Sequence, residues 1–201
     1  MNYAIALSSL KQSDPILAAT IEYVGNCTLD REQRTGDVFS TLCESILYQQ
    51  ISGKAAAAIH HRFLALYDEG SSLNAQNLLE TSNEILRNAG ISRPKIAYLK
   101  DLAQKSLDGL PTLNDLAAME DETIIQEFTK VKGIGRWTVQ MFLIFRLHRW
   151  DVLPADDLGI RAGIRRVYNL PELPSKKTVK QLGEQWKPYR TIASWYLWRS
   201  L

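Results

Sequence analysis

Residues 152–161 read VLPADDLGIR, and the adjacent carboxylates of Asp156 and Asp157 are the residues best suited to chemistry in this chain. A fixed carboxylate can stabilise positive charge that develops on a substrate, or orient and deprotonate a water. Side by side, the two repel each other, and the only cation in the stretch is Arg161. Helix capping accounts for one of them, because Asp is a favoured N-cap and suits the positive end of the helix dipole. It accounts less easily for two. Helical periodicity does not choose between them, since both flank the face formed by Ile160, Ile164 and Val167.

A second stretch, VKGIGRWT at 131–138, has the makings of an anion site. Glycines between helices are common in tight turns, so Gly133-Ile134-Gly135 alone is a weak signal. Its setting strengthens it. The turn lies between a helix expected at about 120–130 and one that opens with Arg136-Trp137-Thr138. A helix start leaves N–H groups unpaired, and two glycines let a ligand approach the backbone. Ile134 would anchor the turn in the core, and Lys130, Lys132 and Arg136 add positive charge around it. Such a turn suits one or two DNA phosphates, held without reading sequence and more weakly as salt rises.

Helices must position both stretches. Nearly every periodic segment has the helical period, and almost none alternates like a strand. Ser13-Asp14-Pro15 opens a helix closed by Gly25, and Asp37 opens another with Val38, Leu42, Ile46 and Leu47 on one face. An Ala-rich helix runs from Ser52 to near Gly70, and two more end at Gly90 and Gly109. Further helices are expected at about 120–130, 136–148, 157–168, 175–186 and 189–200. The fold class is all-α.

The length, 201 residues, suits one large domain or two small lobes sharing a core. No run of 18 apolar residues predicts a membrane span, and the N-terminus lacks the basic region of a secretory signal. Cys27 and Cys43 form neither a disulfide framework nor a metal-type spacing. An intracellular setting is expected, cytoplasmic in a bacterium and nuclear in a eukaryote. His60, His61 and His148 read as surface or core residues, and no metal-ligand cluster is visible. The net charge of +2 hides an asymmetry. Residues 1–129 carry 10 Lys and Arg against 17 Asp and Glu, whereas residues 130–201 carry 14 against 5. A basic C-terminal third points to a polyanion-facing surface.

Four stretches, in order, carry a resemblance: ILYQQISGKAA at 46–56, GIGRWT at 133–138, PADDLGI at 154–160 and KPYRTIASWYLW at 187–198. Together they resemble the helix-hairpin-helix DNA glycosylase superfamily, and within it the 3-methyladenine DNA glycosylase II branch. The resemblance implies one helix-hairpin-helix domain over 1–201, its hairpin at about 130–138, with two helical lobes around an active-site cleft. It makes Asp157 the catalytic aspartate, because that residue is followed by two residues and then Ile160. Asp156 becomes a cap or a surface carboxylate. Gln50 matches the residue inserted into the duplex, and Trp198 and Phe145 match the pocket for the flipped base, with Trp137 and Tyr48 as further candidates. For Trp137 and Trp195 a core position is the preferred expectation. Gly133, Ile134, Gly135, Arg136 and Lys132 fall on the phosphate-binding hairpin. Ser52 and Met141 depart from some relatives, which carry His and Tyr there. No cofactor is implied beyond an alkali ion at the hairpin's backbone carbonyls. The implied partner is double-stranded DNA with alkylated bases, bound by a monomer, with no membrane involved.

The activity implied is monofunctional excision of alkylated purines, of the 3-methyladenine and 7-methylguanine type, in base excision repair. Two alternatives stay open. A non-catalytic hairpin protein would keep the phosphate motifs without needing Asp157 and Trp198, and a glycosylase for deaminated or oxidised bases would share fold and aspartate. Lyase members of the superfamily carry a Lys two positions after the hairpin's last Gly, where its amine forms a Schiff base with the sugar. This chain has Trp137 there. Borohydride treatment during reaction with damaged DNA is therefore expected to trap no covalent adduct, and a stable adduct would contradict that expectation.

Overall fold

The computed structural model describes residues 2–32, 36–67 and 72–201. The described residues contain helices and turns and no strand, as the periodicity predicts. The chain divides into two compact units: a terminal unit made of residues 1–33 and 143–201, and a central unit made of residues 34–142.

The terminal unit starts with α1 (Tyr3–Ser13) and α2 (Pro15–Val24). Helix α1 is absent from the sequence-based assignment, because its apolar stripe is thin: only Ala6 and Leu10, one turn apart, are buried. Helix α2 begins as expected, with Pro15 in its first turn and Asp14 as N-cap. Asp14 is only 3% exposed. Its Oδ1 accepts the Ile16 and Leu17 N–H groups at 3.1 and 3.0 Å. Its Oδ2 accepts from Gln185 Nε2 at 2.9 Å, from Trp186 Nε1 at 2.8 Å and from the Tyr168 hydroxyl. Burial, and then the Asp14 carboxylate, push the Tyr168 hydroxyl well above the usual phenol range.

The central unit contains α3 (Val38–Tyr48), α4 (Gly53–Leu64), α5 (Ala75–Glu80), α6 (Asn83–Asn88), α7 (Arg93–Leu107), α8 (Leu113–Ala118), α9 (Asp121–Phe128) and most of α10 (Arg136–Phe145). Helix α3 buries Leu42, Ile46 and Leu47 as expected from sequence, and Cys43 with them, while Val38, in its first turn, is only partly covered. Helix α4 ends at Leu64, earlier than expected; the stop expected near Gly70 lies outside the described residues. Helices α5 and α8 are missed by periodicity because six residues make fewer than two turns and neither is closed by a glycine, whereas the equally short α6 runs into Gly90. Two lysines act as caps. Lys100 Nζ donates to the carbonyls of Leu78, Leu79 and Thr81 at 2.6–2.7 Å, and Lys95 Nζ to that of Leu47 at 2.6 Å. Burial lowers the pKa of both ammonium groups.

The chain then returns to the terminal unit, which it completes with α11 (Leu158–Val167), α12 (Lys176–Gly183) and α13 (Arg190–Arg199). The helix expected at 175–186 is α12 followed by a 3-10 turn over Glu184–Trp186. Helix α13 is buried without interruption from Thr191 to Leu197, so it is the core helix of its unit. Its Tyr196 hydroxyl donates to the Gly25 carbonyl at 2.8 Å, tying it to the end of α2.

Asp14 gathers these elements. Replacing it with Ala removes an N-cap worth about 1 kcal/mol and strands the buried Trp186 N–H at a further cost of about 1–3 kcal/mol. We expect Asp14→Ala to lower Tm by roughly 6–12 °C, the shift that about 3 kcal/mol produces in a chain of this size. Thermal melts followed by circular dichroism check this, and a melt within about 2 °C of wild type would contradict it.

Candidate active site

The two aspartates of VLPADDLGIR separate in the structure. Asp157 is the N-cap of α11, its Oδ1 accepting the Ile160 N–H at 2.8 Å. The same oxygen accepts Trp198 Nε1–H, from the far end of α13, at 2.8 Å. Asp156 points away and pairs with the Lys176 ammonium at the start of α12, where both side chains are about half exposed. Asp156 is thus the surface carboxylate and Asp157 the cap. Arg161, the nearest cation in sequence, instead donates through Nε to the Pro174 carbonyl at 2.9 Å.

Phe145 completes the cluster. Its ring and that of Trp198 have centroids 6.1 Å apart, with planes 24° from parallel. Asp157, Trp198 and Phe145 therefore form one chain of contacts in the terminal unit: the carboxylate meets the N–H edge of the indole, and the Phe145 ring lies along the indole's face. Trp195, three residues before Trp198, has a different partner. It is buried, donates to Glu32 Oε1 at 3.0 Å and carries the Arg199 guanidinium over its ring at 5.3 Å. Its role is core packing, as expected.

The segment leading to Asp157 is pinned to the start of α13. The Thr191 N–H donates to the Trp150 carbonyl at 2.9 Å, and the Thr191 hydroxyl donates to the Arg149 carbonyl at 2.7 Å and accepts the Val152 N–H at 3.0 Å. Arg190 Nε and Nη2 grip Asp151 Oδ1 and Oδ2 at 2.7 and 2.9 Å. One helix thus holds the loop at its base and Asp157 at its tip. Sequence reading missed Asp151, Arg190 and Thr191, whose partners lie about forty positions away.

The remaining sequence candidates belong to the central unit. Trp137, expected to favour the core, is 47% exposed, because it sits in the first turn of α10, where the helix emerges from the hairpin. Tyr48 ends α3 with its ring edge-on to His60 at 6.0 Å. Gln50, expected at the end of the helix, lies two residues past it, exposed and in the left-handed region at φ 58°. The next residue, Ile51, is also exposed, and the Ser52 hydroxyl accepts the Ala55 N–H as the N-cap of α4. This turn is held on both sides: Lys95 caps α3 before it, and Gln49 Nε2 donates to the Gly133 carbonyl at 2.8 Å.

Both hairpin glycines are expected to make room for a ligand, and the structure divides the task between them. Gly133 has φ 80°, and a Cβ there would lie 2.3 Å from the Tyr98 ring, so the core of its own unit requires glycine. At Gly135 a Cβ would meet nothing within 4 Å. Ile134 is buried and anchors the turn, as expected. The Ile134 N–H donates to the Val131 carbonyl and the Lys132 N–H to Asp101 Oδ2, so two of the turn's donors are already used. The expected excess of positive charge is also reduced. Arg136 forms a fork with Glu122 at 2.8 and 2.6 Å, Lys130 pairs with Glu127 at 2.7 Å, and Lys132 with Asp101 at 3.5 Å. Tyr98 and Asp101, one turn apart on α7, support the hairpin; no local pattern in sequence marks either.

The described residues contain no group of three His, Cys, Asp or Glu side chains placed to hold a metal ion. The His148 ring is half-buried, and burial, then the Arg146 charge, lower its pKa.

A helical fold with a glycine hairpin and an aspartate capping a later helix defines a class of DNA repair proteins. Residues 43–188 match the HhH-GPD superfamily of base excision DNA repair proteins, and the chain belongs to that family. Among its relatives, DNA-3-methyladenine glycosylase 1 of Schizosaccharomyces pombe is 39% identical over 181 residues, covering 90% of this chain and 79% of the relative. The structure of a 3-methyladenine DNA glycosylase from the same yeast, in complex with abasic DNA, superposes with a TM-score of 0.86 at 37% identity, covering 96% of this chain and 95% of that one. A DNA-3-methyladenine glycosidase from Bacillus halodurans also gives a TM-score of 0.86, at 35% identity over 96% of this chain and 88% of its own.

The two hairpin glycines call for different tests. Gly135→Ala should melt with the wild type yet bind duplex DNA about tenfold more weakly whatever its sequence, with an unchanged salt slope because no cation is lost. Gly133→Ala should lower the melting temperature, because the Tyr98 ring must move. Titrations at several salt concentrations read the first outcome. Unchanged affinity for Gly135→Ala at every salt concentration would place the phosphate seat elsewhere.

Proposed function

We propose that the chain is a monofunctional DNA glycosylase that excises alkylated purines, of the 3-methyladenine and 7-methylguanine type, from duplex DNA in base excision repair. The observation that carries this reading is the Asp157 carboxylate held by the Trp198 indole beside the Phe145 ring, in a chain whose relatives are named for that activity.

The chemistry follows from charge. As the glycosidic bond breaks, its electron pair leaves with the base and the sugar becomes oxocarbenium-like. Asp157 stabilises that cation electrostatically. Water then bonds to C1′ and releases a proton to solvent. The base must first leave the stack, and Gln50, raised on its left-handed turn, fills the gap it vacates. The flipped base is received beside the rings of Trp198 and Phe145. Gly133, Ile134, Gly135, Lys132 and Arg136 seat the phosphates, the two cations exchanging their carboxylate partners for phosphate. An alkali ion would draw its oxygens from the hairpin carbonyls. Those of Val131 and Gly133 each accept one hydrogen bond and keep a second lone pair for it. The protein acts as a monomer inside the cell, with both units serving one glycosylase domain.

A purine alkylated at N3 or N7 is cationic, and a cation over an aromatic face gains about 0.5–2 kcal/mol. Its charge also weakens the glycosidic bond. Single-turnover base release should therefore be faster from a 3-methyladenine duplex than from a hypoxanthine duplex. Asn still caps a helix, so Asp157→Asn should fold and bind while losing roughly 100-fold or more in rate. Asp156→Asn should stay within about fivefold of wild type, because an exposed ion pair is worth at most about 1 kcal/mol. Faster release of hypoxanthine would move the reading to deaminated bases. Equal losses in the two variants would remove Asp157 from its role.

A further inference from the structure

Asp157 Oδ1 receives one hydrogen bond from its own helix and one from a helix forty-one residues away, so its direction depends on how closely Trp198 approaches α11. Gly159, in the first turn of α11, controls that approach. A Cβ on Gly159 would lie 2.9 Å from Trp198 Cδ1, 3.1 Å from Trp198 Nε1 and 3.0 Å from Asp157 Oδ1. It would press at once on donor and acceptor of the same hydrogen bond. Glycine is a poor helix former beside alanine, and Gly159 has an ordinary helical φ, so the backbone gives no reason for it. One turn further on, a Cβ on Gly163 would lie 2.5 Å from the Leu197 carbonyl oxygen. The two glycines share a face but do different things. Gly163 meets main chain, which cannot yield without separating α11 from α13. Gly159 meets a partly exposed ring, which can swing away while the helices stay in place.

We propose that Gly159 is a positioning residue for base release: it leaves the space in which the Trp198 indole reaches Asp157 and fixes the carboxylate against the sugar. This rests on the glycosylase reading above. A side chain at 159 displaces the indole, frees the carboxylate to turn, and costs rate without costing DNA affinity. Misplacing a reacting group by about 1 Å can cost up to 100-fold.

The experiment compares wild type, Gly159→Ala, Trp198→Ala and the double variant, with single-turnover release of 3-methyladenine, affinity for an abasic-site duplex, and melting temperature measured for each. Gly159→Ala should be slower by about 10- to 100-fold, with abasic-site affinity and melting temperature close to wild type. In the Trp198→Ala background there is no indole to displace, so adding Gly159→Ala should slow release by less than about threefold. A merely structural glycine would give the same loss in both backgrounds. Losses that multiply, or a Gly159→Ala rate equal to wild type, overturn the proposal. Should Gly159→Ala fail to fold, Trp198→Phe serves instead: it keeps a ring and deletes the N–H, and a wild-type rate for it overturns the proposal equally. If the wild type itself releases no alkylpurine, the glycosylase reading fails; if Asp157→Asn releases it as fast as wild type, Asp157 loses its role and the positioning of its carboxylate falls with it. If those two controls behave and only the Gly159 variants do not, the positioning role alone falls.

Discussion

The hydrogen bonds gathered on the Asp14 carboxylate join chain segments up to 172 positions apart. A unit made from both ends of a chain has little local structure to hold its halves together, and closing so long a loop is entropically costly. A buried carboxylate recovers that cost only when its lone pairs are filled by well-placed donors. Asp14 meets the condition with two main-chain N–H groups and three side-chain donors. One of these donors, Tyr168, stands at the C-terminal end of α11, and the other end of α11 begins at Asp157. The interaction that closes the unit therefore also fixes the far end of the helix on which the candidate catalytic residue sits.

Helix α13 supplies the second constraint. Its start holds the loop before Asp157 through Arg190 and Thr191, and its end meets Asp157 through Trp198. At 1.5 Å per residue, the rise from Thr191 to Trp198 is about 10 Å. A rigid helix of that length sets the span between the base of the loop and its tip. Full burial of its middle makes rotation about its own axis costly, since seven consecutive residues would have to be repacked. Trp198, near the end and partly exposed, is the one contact of the pair with room to move, which is why its neighbour at 159 matters.

Much of this was legible in the sequence, for identifiable reasons. The helices capped by Asp14 and Asp37 show an Asp before an apolar stripe, and the hairpin shows two glycines between helical runs. The choice of Asp157 over Asp156 came from family resemblance rather than periodicity; in the structure one aspartate meets an indole and the other a lysine twenty residues on, partners that no local pattern shows. What stayed hidden depends on distant partners. The carboxylates beside Lys132 and Arg136 lie 31 and 14 positions away. Gln49 reaches 84 residues to Gly133, and Tyr98, whose ring shapes the turn, looks from sequence like any helix residue. Exposure was misjudged at Trp137 because a large apolar side chain at a helix start reads as core.

The charge asymmetry read along the chain changes meaning once the chain is folded. The basic residues 143–201 share a unit with the acidic residues 1–33, giving that unit 13 Lys and Arg against 9 Asp and Glu, while the other has 11 against 13. Each cation beside the hairpin also has a carboxylate within 4 Å. A surface of paired charges attracts a polyanion weakly from a distance, because the fields of each pair largely cancel beyond a Debye length of about 8–10 Å. A phosphate seated there would have to replace glutamate or aspartate at its cation, so the pairs leave little net charge to gain at contact either. On the proposed reading, a phosphate at the hairpin would then be held more by the uncrowded backbone at Gly135 than by the number of lysines around it, and held without regard to sequence.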